Sequence, residues 1–191
     1  MTGASTARST VLLAIAFEGA LLVLALVVGR LVGVPALASV QLDWAGPIWG
    51  LVATAPLLGA LWWFATSPWA PLARIRGEID RAVTTLFAGA SVPQLALIAL
   101  AAGVGEEVLF RGLLQPGIAG VAGTAVGLLA ASVLFGLCHL VTPAYAVIAA
   151  LLGAYLGWLA IATGNLLAPI TTHAAYDFIA LLYWTRRPRA G

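Results

Sequence analysis

Pro93 to Gln115 reads PQLALIALAAGVGEEVLFRGLLQ. The run is long enough to cross ~30 Å of hydrocarbon at ~1.5 Å per residue, yet it carries Glu106, Glu107 and Arg111. Five more apolar stretches of similar length lie at about 11–34, 47–66, 124–140, 143–163 and 166–184. Of the 191 residues, 62% are apolar and 8% charged, against roughly 25% charged in an ordinary soluble domain. Mean hydropathy is +1.06. A soluble domain of this length could not bury so much apolar surface. A water-soluble enzyme, a disordered tail and a nucleic-acid-binding module are therefore excluded, and the net charge of +2 adds no reason to expect a nucleic-acid partner. The sequence predicts an all-α, polytopic membrane helical bundle of about six transmembrane helices, with the lipid bilayer as its surroundings.

One substantial polar segment, 67–92, separates the second stretch from the third. Leu72, Ile75, Ile79, Val83 and Leu86 recur there at helical spacing, with Arg74, Arg76, Glu78, Asp80 and Arg81 between them. That pattern predicts one amphipathic helix, lying on the membrane surface or packing on the protein itself. The nine basic residues are all Arg, and their positions set topology. With six spans, Arg8, then Arg74, Arg76 and Arg81, then Arg186, Arg187 and Arg189 share one side, so both termini are expected to be cytoplasmic. Arg30, at the opposite end of the first span, departs from that pattern. The first stretch is expected to be a retained membrane helix rather than a cleaved signal peptide: it is long, Glu18 breaks it, and no clean small-residue cleavage site follows. The single cysteine, Cys138, excludes an internal disulfide. The chain divides into 1–91, two transmembrane helices and the amphipathic cytoplasmic segment, and 92–191, a core of four helices.

Ionisable groups at bilayer depth are costly and mark function by default. Here they fall into three groups. In Glu106-Glu107-Val108-Leu109-Phe110-Arg111, neighbouring helix positions diverge by ~100°, so the two acids point differently. Arg111 follows Glu107 by one helical turn, where a carboxylate–guanidinium pair forms, leaving Glu106 without a local counter-charge. The second group is Phe135-Gly136-Leu137-Cys138-His139, and the third His173-Ala174-Ala175-Tyr176-Asp177. His173 and Asp177 share a face, so the carboxylate can orient the imidazole or both can enter one cavity. Taken singly, the first and third groups also fit a buried structural network, and a lone His near a helix end also fits an interfacial residue. Together they offer a carboxylate to take a proton from water and imidazoles to hold that water or donate to an oxyanion, which is a hydrolytic site. No Gly-x-Ser-x-Gly elbow and no His-Glu-x-x-His helix is present, and Cys138 beside His139 diverges on a helix. One Glu and two His could still ligate zinc through Glu106, His139 and His173.

Glu106-Glu107-x-x-x-Arg111, Phe135-x-x-x-His139 and His173-x-x-x-Asp177, in this order on separate apolar helices, resemble the CPBP family of CAAX prenyl endopeptidases, bacteriocin-processing and abortive-infection proteins. The resemblance covers about half the chain, from Val92 to Trp184. It implies an intramembrane endopeptidase acting on a membrane-associated peptide or protein substrate. By similarity, Glu106 activates the water with help from His139, His173 and Asp177 stabilise the oxyanion, and Glu107, Arg111 and Phe135 support the site. The family has been discussed as metalloproteases and as glutamic proteases, and the Glu107–Arg111 pairing favours the glutamic version, with no cofactor and zinc as the alternative. Two departures stand out. The prenyl endopeptidases carry Asn where this chain has Asp177, and an ionised Asp cannot donate to an oxyanion, so Asp177 must be protonated or orient His173 instead. Six spans are also fewer than their eight, which fits a compact member of a bacterial inner membrane. A non-catalytic immunity or scaffold protein, or a proton-coupled transporter, would use the same buried groups. Counting from the span ends puts Glu106 and His173 at roughly 20 Å depth and His139 much nearer the cytoplasmic face.

Overall fold

The computed structural model describes residues 2–187, and all regular structure in it is helical. Arg189, one of the arginines expected on the cytoplasmic side, lies outside the described residues. The helices are α1 (Thr2–Leu31), α2 (Ala45–Thr66), α3 (Ala70–Phe87), α4 (Val92–Glu107), α5 (Gln115–Ala122), α6 (Thr124–Cys138), α7 (Pro143–Thr163) and α8 (Leu167–Arg186). A π-helical segment, Val108–Leu114, joins α4 to α5 without a break. Apolar side chains such as Leu13, Phe17, Trp49 and Trp62 project outward from α1 and α2. A protein in water does not expose so continuous an apolar surface; in hydrocarbon it is the low-energy arrangement. The chain is an integral membrane protein.

Local chemistry sets the helix ends. At the start of α4, the Ser91 backbone N–H donates to Gln94 Oε1 at 2.8 Å in a capping box, with Pro93 in the first turn. Gly123, at φ 88°, turns α5 into α6, and Gly164, at φ 62°, ends α7. Thr142 caps α7 by accepting the Tyr145 backbone N–H at 3.1 Å.

The expected count of six spans is not reproduced. By length and composition, three helices among the described residues can cross a membrane, α1 from Arg8, α2 and α7, or four if the pair 70–87 and 92–122, bent by 112°, counts as one. The reasons are physical. α6 has 15 residues, about 22 Å, which is shorter than the hydrocarbon core. The run through α4 and α5 holds Glu106, Glu107 and Arg111, and α8 holds His173, Tyr176 and Asp177.

The short α6 also corrects the depth expected of His139. Gly123 lies almost midway in sequence between Glu106 and His139. The return arm brings His139 Nε2 to 3.7 Å from Glu106 Oε2, so His139 lies level with Glu106 instead of near the start of α4. The amphipathic helix α3 packs against the protein along part of its apolar face. Leu72 and Ile75 are buried, Asp80 pairs with Arg187 beyond α8 at 2.9 Å, and Arg76 donates to the Phe64 and Ser67 carbonyls at 2.8 and 2.7 Å.

Candidate active site

The close approach of α4 to α8 builds the floor of the site. A Cβ placed on Gly103 would lie 2.9 Å from the Ala174 Cβ and 3.0 Å from the Ile170 carbonyl oxygen. With no side chain there, the two backbones meet, as small residues permit in membrane helices. One turn later this brings Glu107 against His173. Its Oε1 accepts from His173 Nδ1 at 2.7 Å and from Arg111 Nη1 at 2.6 Å. Arg111 also donates through Nη2 to the Gly153 carbonyl of α7 at 2.8 Å, and its guanidinium lies 4.6 Å over the Phe135 ring. Glu107 and Arg111 thus form the buried pair that helix spacing predicts, and Glu107 has a second task that spacing does not show: it orients His173.

Glu106 points elsewhere, as neighbouring helix positions must. Its Oε2 lies 3.7 Å from His139 Nε2 and 3.9 Å from His173 Nε2. Both gaps exceed a direct hydrogen bond and suit a water between the groups. His139 Nδ1 stands 2.8 Å from the Phe135 carbonyl. A carbonyl only accepts, so Nδ1 carries the proton and Nε2 presents its lone pair towards Glu106. Phe135 stacks on the His139 ring at 4.5 Å and meets the His173 ring edge-on at 5.9 Å, so one buried aromatic aligns both imidazoles. Asp177 Oδ2 lies 3.4 Å from His173 Nε2.

All seven residues singled out from the sequence meet at this place. The sequence reading missed a further acid. Glu18, taken there only as an interruption of the first span, brings its carboxylate over Gly105 on α4. A Cβ at that glycine would lie 3.3 Å from Glu18 Oε2 and would run into the Glu18 backbone carbonyl. No motif spacing links α1 to α4, so no sequence signal marks this contact.

The site opens on a mostly apolar cavity of ≈580 Å³ between α2, α3, α7 and α8. His139, His173 and Asp177 line it, together with Leu57, Leu72 and Ile79. Zinc ligands at ~2.0–2.1 Å from a shared ion sit about 3.4 Å apart. The facing atoms here are wider, and among the described residues no group of three His, Cys, Asp or Glu side chains is arranged to hold a metal ion.

Residues 88–179 match the family model of the type II CAAX prenyl endopeptidases, Rce1-like. The match begins between α3 and α4, ends within α8, and contains Glu106, Glu107, Arg111, Phe135, His139, His173 and Asp177. No curated protein and no solved structure matches the chain. The segment that holds all three motifs, just under half of the chain, is thus similar to the Rce1-like CAAX prenyl endopeptidases of the CPBP family.

Proposed function

We propose that the chain is an intramembrane endopeptidase that hydrolyses a peptide bond of a membrane-associated peptide or protein with water activated at Glu106. The supporting observation is the facing of the Glu106 carboxylate and two imidazole Nε2 atoms, at 3.7 and 3.9 Å, beside the apolar cavity. Water held there gives a proton to Glu106 while its oxygen adds to the substrate carbonyl. His139, fixed by Phe135, holds the water through Nε2. His173, held by Glu107, donates from Nε2 to the oxyanion. Asp177 orients that ring, since an ionised carboxylate has no proton to give. Arg111 pairs with Glu107 and holds the orienting carboxylate in place in an apolar interior. The scheme needs no cofactor. The arginine-rich face of α3 and both termini lie on the cytoplasmic side of a bacterial inner membrane.

The test is cleavage of a membrane-tethered substrate by Glu106→Ala and Glu106→Gln. Loss of a general base costs on the order of 10²–10⁴-fold, so both variants should be inactive while still folded. Full activity in either would remove Glu106 from the chemistry, and a protective effect that survives both would favour an immunity or scaffold role. Stoichiometric zinc in the purified protein, lost on His139→Ala, would replace the metal-free scheme by its zinc-dependent counterpart.

A further inference from the structure

Hydrolysis puts a full negative charge on the substrate's carbonyl oxygen, and one fixed donor there is worth about 100- to 1,000-fold in kcat. Few donors in this site remain free for it. Glu106, which takes the water's proton, and Asp177 serve as acceptors in this scheme. Arg111 is committed to Glu107 and to the Gly153 carbonyl. His139 spends its Nδ1 proton on the Phe135 carbonyl. His173 spends one on Glu107, and its other nitrogen lies 3.4 Å from Asp177 and 3.9 Å from Glu106. The oxyanion is left with a single donor, for which two carboxylates compete.

Tyr145 offers a further donor from the cavity wall. It lies in the first turn of α7, just beyond the short connection that follows His139, and the Thr142 cap fixes its backbone. Its ring lines the same cavity as His139, His173 and Asp177. Tyr155, on the same helix, donates its hydroxyl to the Ala53 carbonyl at 2.8 Å. The Tyr145 hydroxyl, by contrast, has no hydrogen-bond partner among the described residues. Tyr176 lines the cavity as well, but from α8, the helix that already carries His173 and Asp177.

We infer that Tyr145 is a further catalytic residue, whose hydroxyl donates a hydrogen bond to the oxyanion opposite the attacking water; this rests on the hydrolytic reading above. The water gives one proton to Glu106, and its oxygen bonds to the carbonyl carbon. The carbonyl π pair moves onto oxygen, where Tyr145 and His173 stabilise it. Collapse restores the carbonyl and breaks the C–N bond, and the leaving amine takes the proton from Glu106. Tyr145 keeps its own proton throughout.

The full-length protein in lipid vesicles is assayed on a quenched fluorogenic peptide anchored by a lipid chain, selected from a randomised panel for cleavage by the unmodified chain. Tyr145→Phe removes only the hydroxyl. It should lower kcat by about 100-fold with KM within about twofold and thermal unfolding unchanged, while Tyr176→Phe loses far less. In the Tyr145→Phe background, Asp177→Asn supplies an amide donor and should recover about tenfold of the loss. Tyr145→Phe retaining at least half of kcat while Glu106→Gln is inactive would overturn the tyrosine role and leave the hydrolytic reading standing. So would a loss that falls on Tyr176→Phe instead. Full activity in Glu106→Gln would overturn both.

Discussion

Glu107 is the most tightly held side chain of the site. It is fully buried, and its Oε1 takes hydrogen bonds from Arg111 and His173, while Oε2 has no partner. A buried pair of this kind contributes little net stability while intact, because desolvation offsets the attraction; breaking it strands one charge. Arg111→Ala should therefore cost about 3–5 kcal/mol, measured as a lowered unfolding midpoint in detergent. Arg111→Lys should recover little of that. An ammonium lacks the planar fork that reaches both Glu107 and the Gly153 carbonyl. A stability unchanged in both variants would show that Glu107 is satisfied without its guanidinium. The Glu107–Arg111 pair was legible in the sequence, since one helical turn fixes it. The Glu107–His173 bond was not, because it joins residues on helices far apart in the chain, and chain spacing carries no information about such a meeting. For the same reason Tyr145 went unremarked and Glu18 was read only as a break in the first span.

Among the elements, two local features set the site: the contact at Gly103, and the π segment that carries Arg111. π-helical turns often occur at functional positions, and this one lets the chain run unbroken from the acids to α5. At Gly103, α4 and α8 touch through backbone. Gly103→Leu would drive α8 outward and pull His173 away from Glu107 and Glu106. A displacement of about 1 Å at reacting groups costs on the order of 100-fold in rate. Gly103→Leu is thus expected to lose about that much kcat while helical content, followed by circular dichroism, stays near that of the unmodified protein. Unchanged kcat would mean that α8 is positioned from elsewhere. Periodicity identified the helices, and it marked the amphipathic face of α3. It left open whether that face met lipid or protein, because both surroundings are apolar and reward the same pattern.

For the whole molecule, the outcome depends on how the helices are cut and returned. α6 stops at 15 residues, so its connection to α7 delivers His139 level with Glu106. α2 and α3, outside the segment matched to the protease family, supply much of the cavity wall through residues such as Leu57, Ala60 and Leu72. Substrate fit should therefore respond to the N-terminal part of the chain. Ala60→Trp, which narrows the cavity away from the acids, is expected to raise KM by about tenfold with kcat little changed, the signature of lost uniform binding. An unaltered KM would separate the cavity from substrate. The sequence by itself determined the solvent, the helical class and the short set of groups able to do chemistry, because hydropathy and one-turn spacing are properties of the chain read locally. Only the tertiary structure decided the shortness of α6, the level of His139, the contact of Glu107 with His173, and the nearness of Tyr145 and Glu18 to the site. Those depend on helix lengths, turns and backbone contacts between distant segments, where the energy lies in packing that no single stretch of sequence contains.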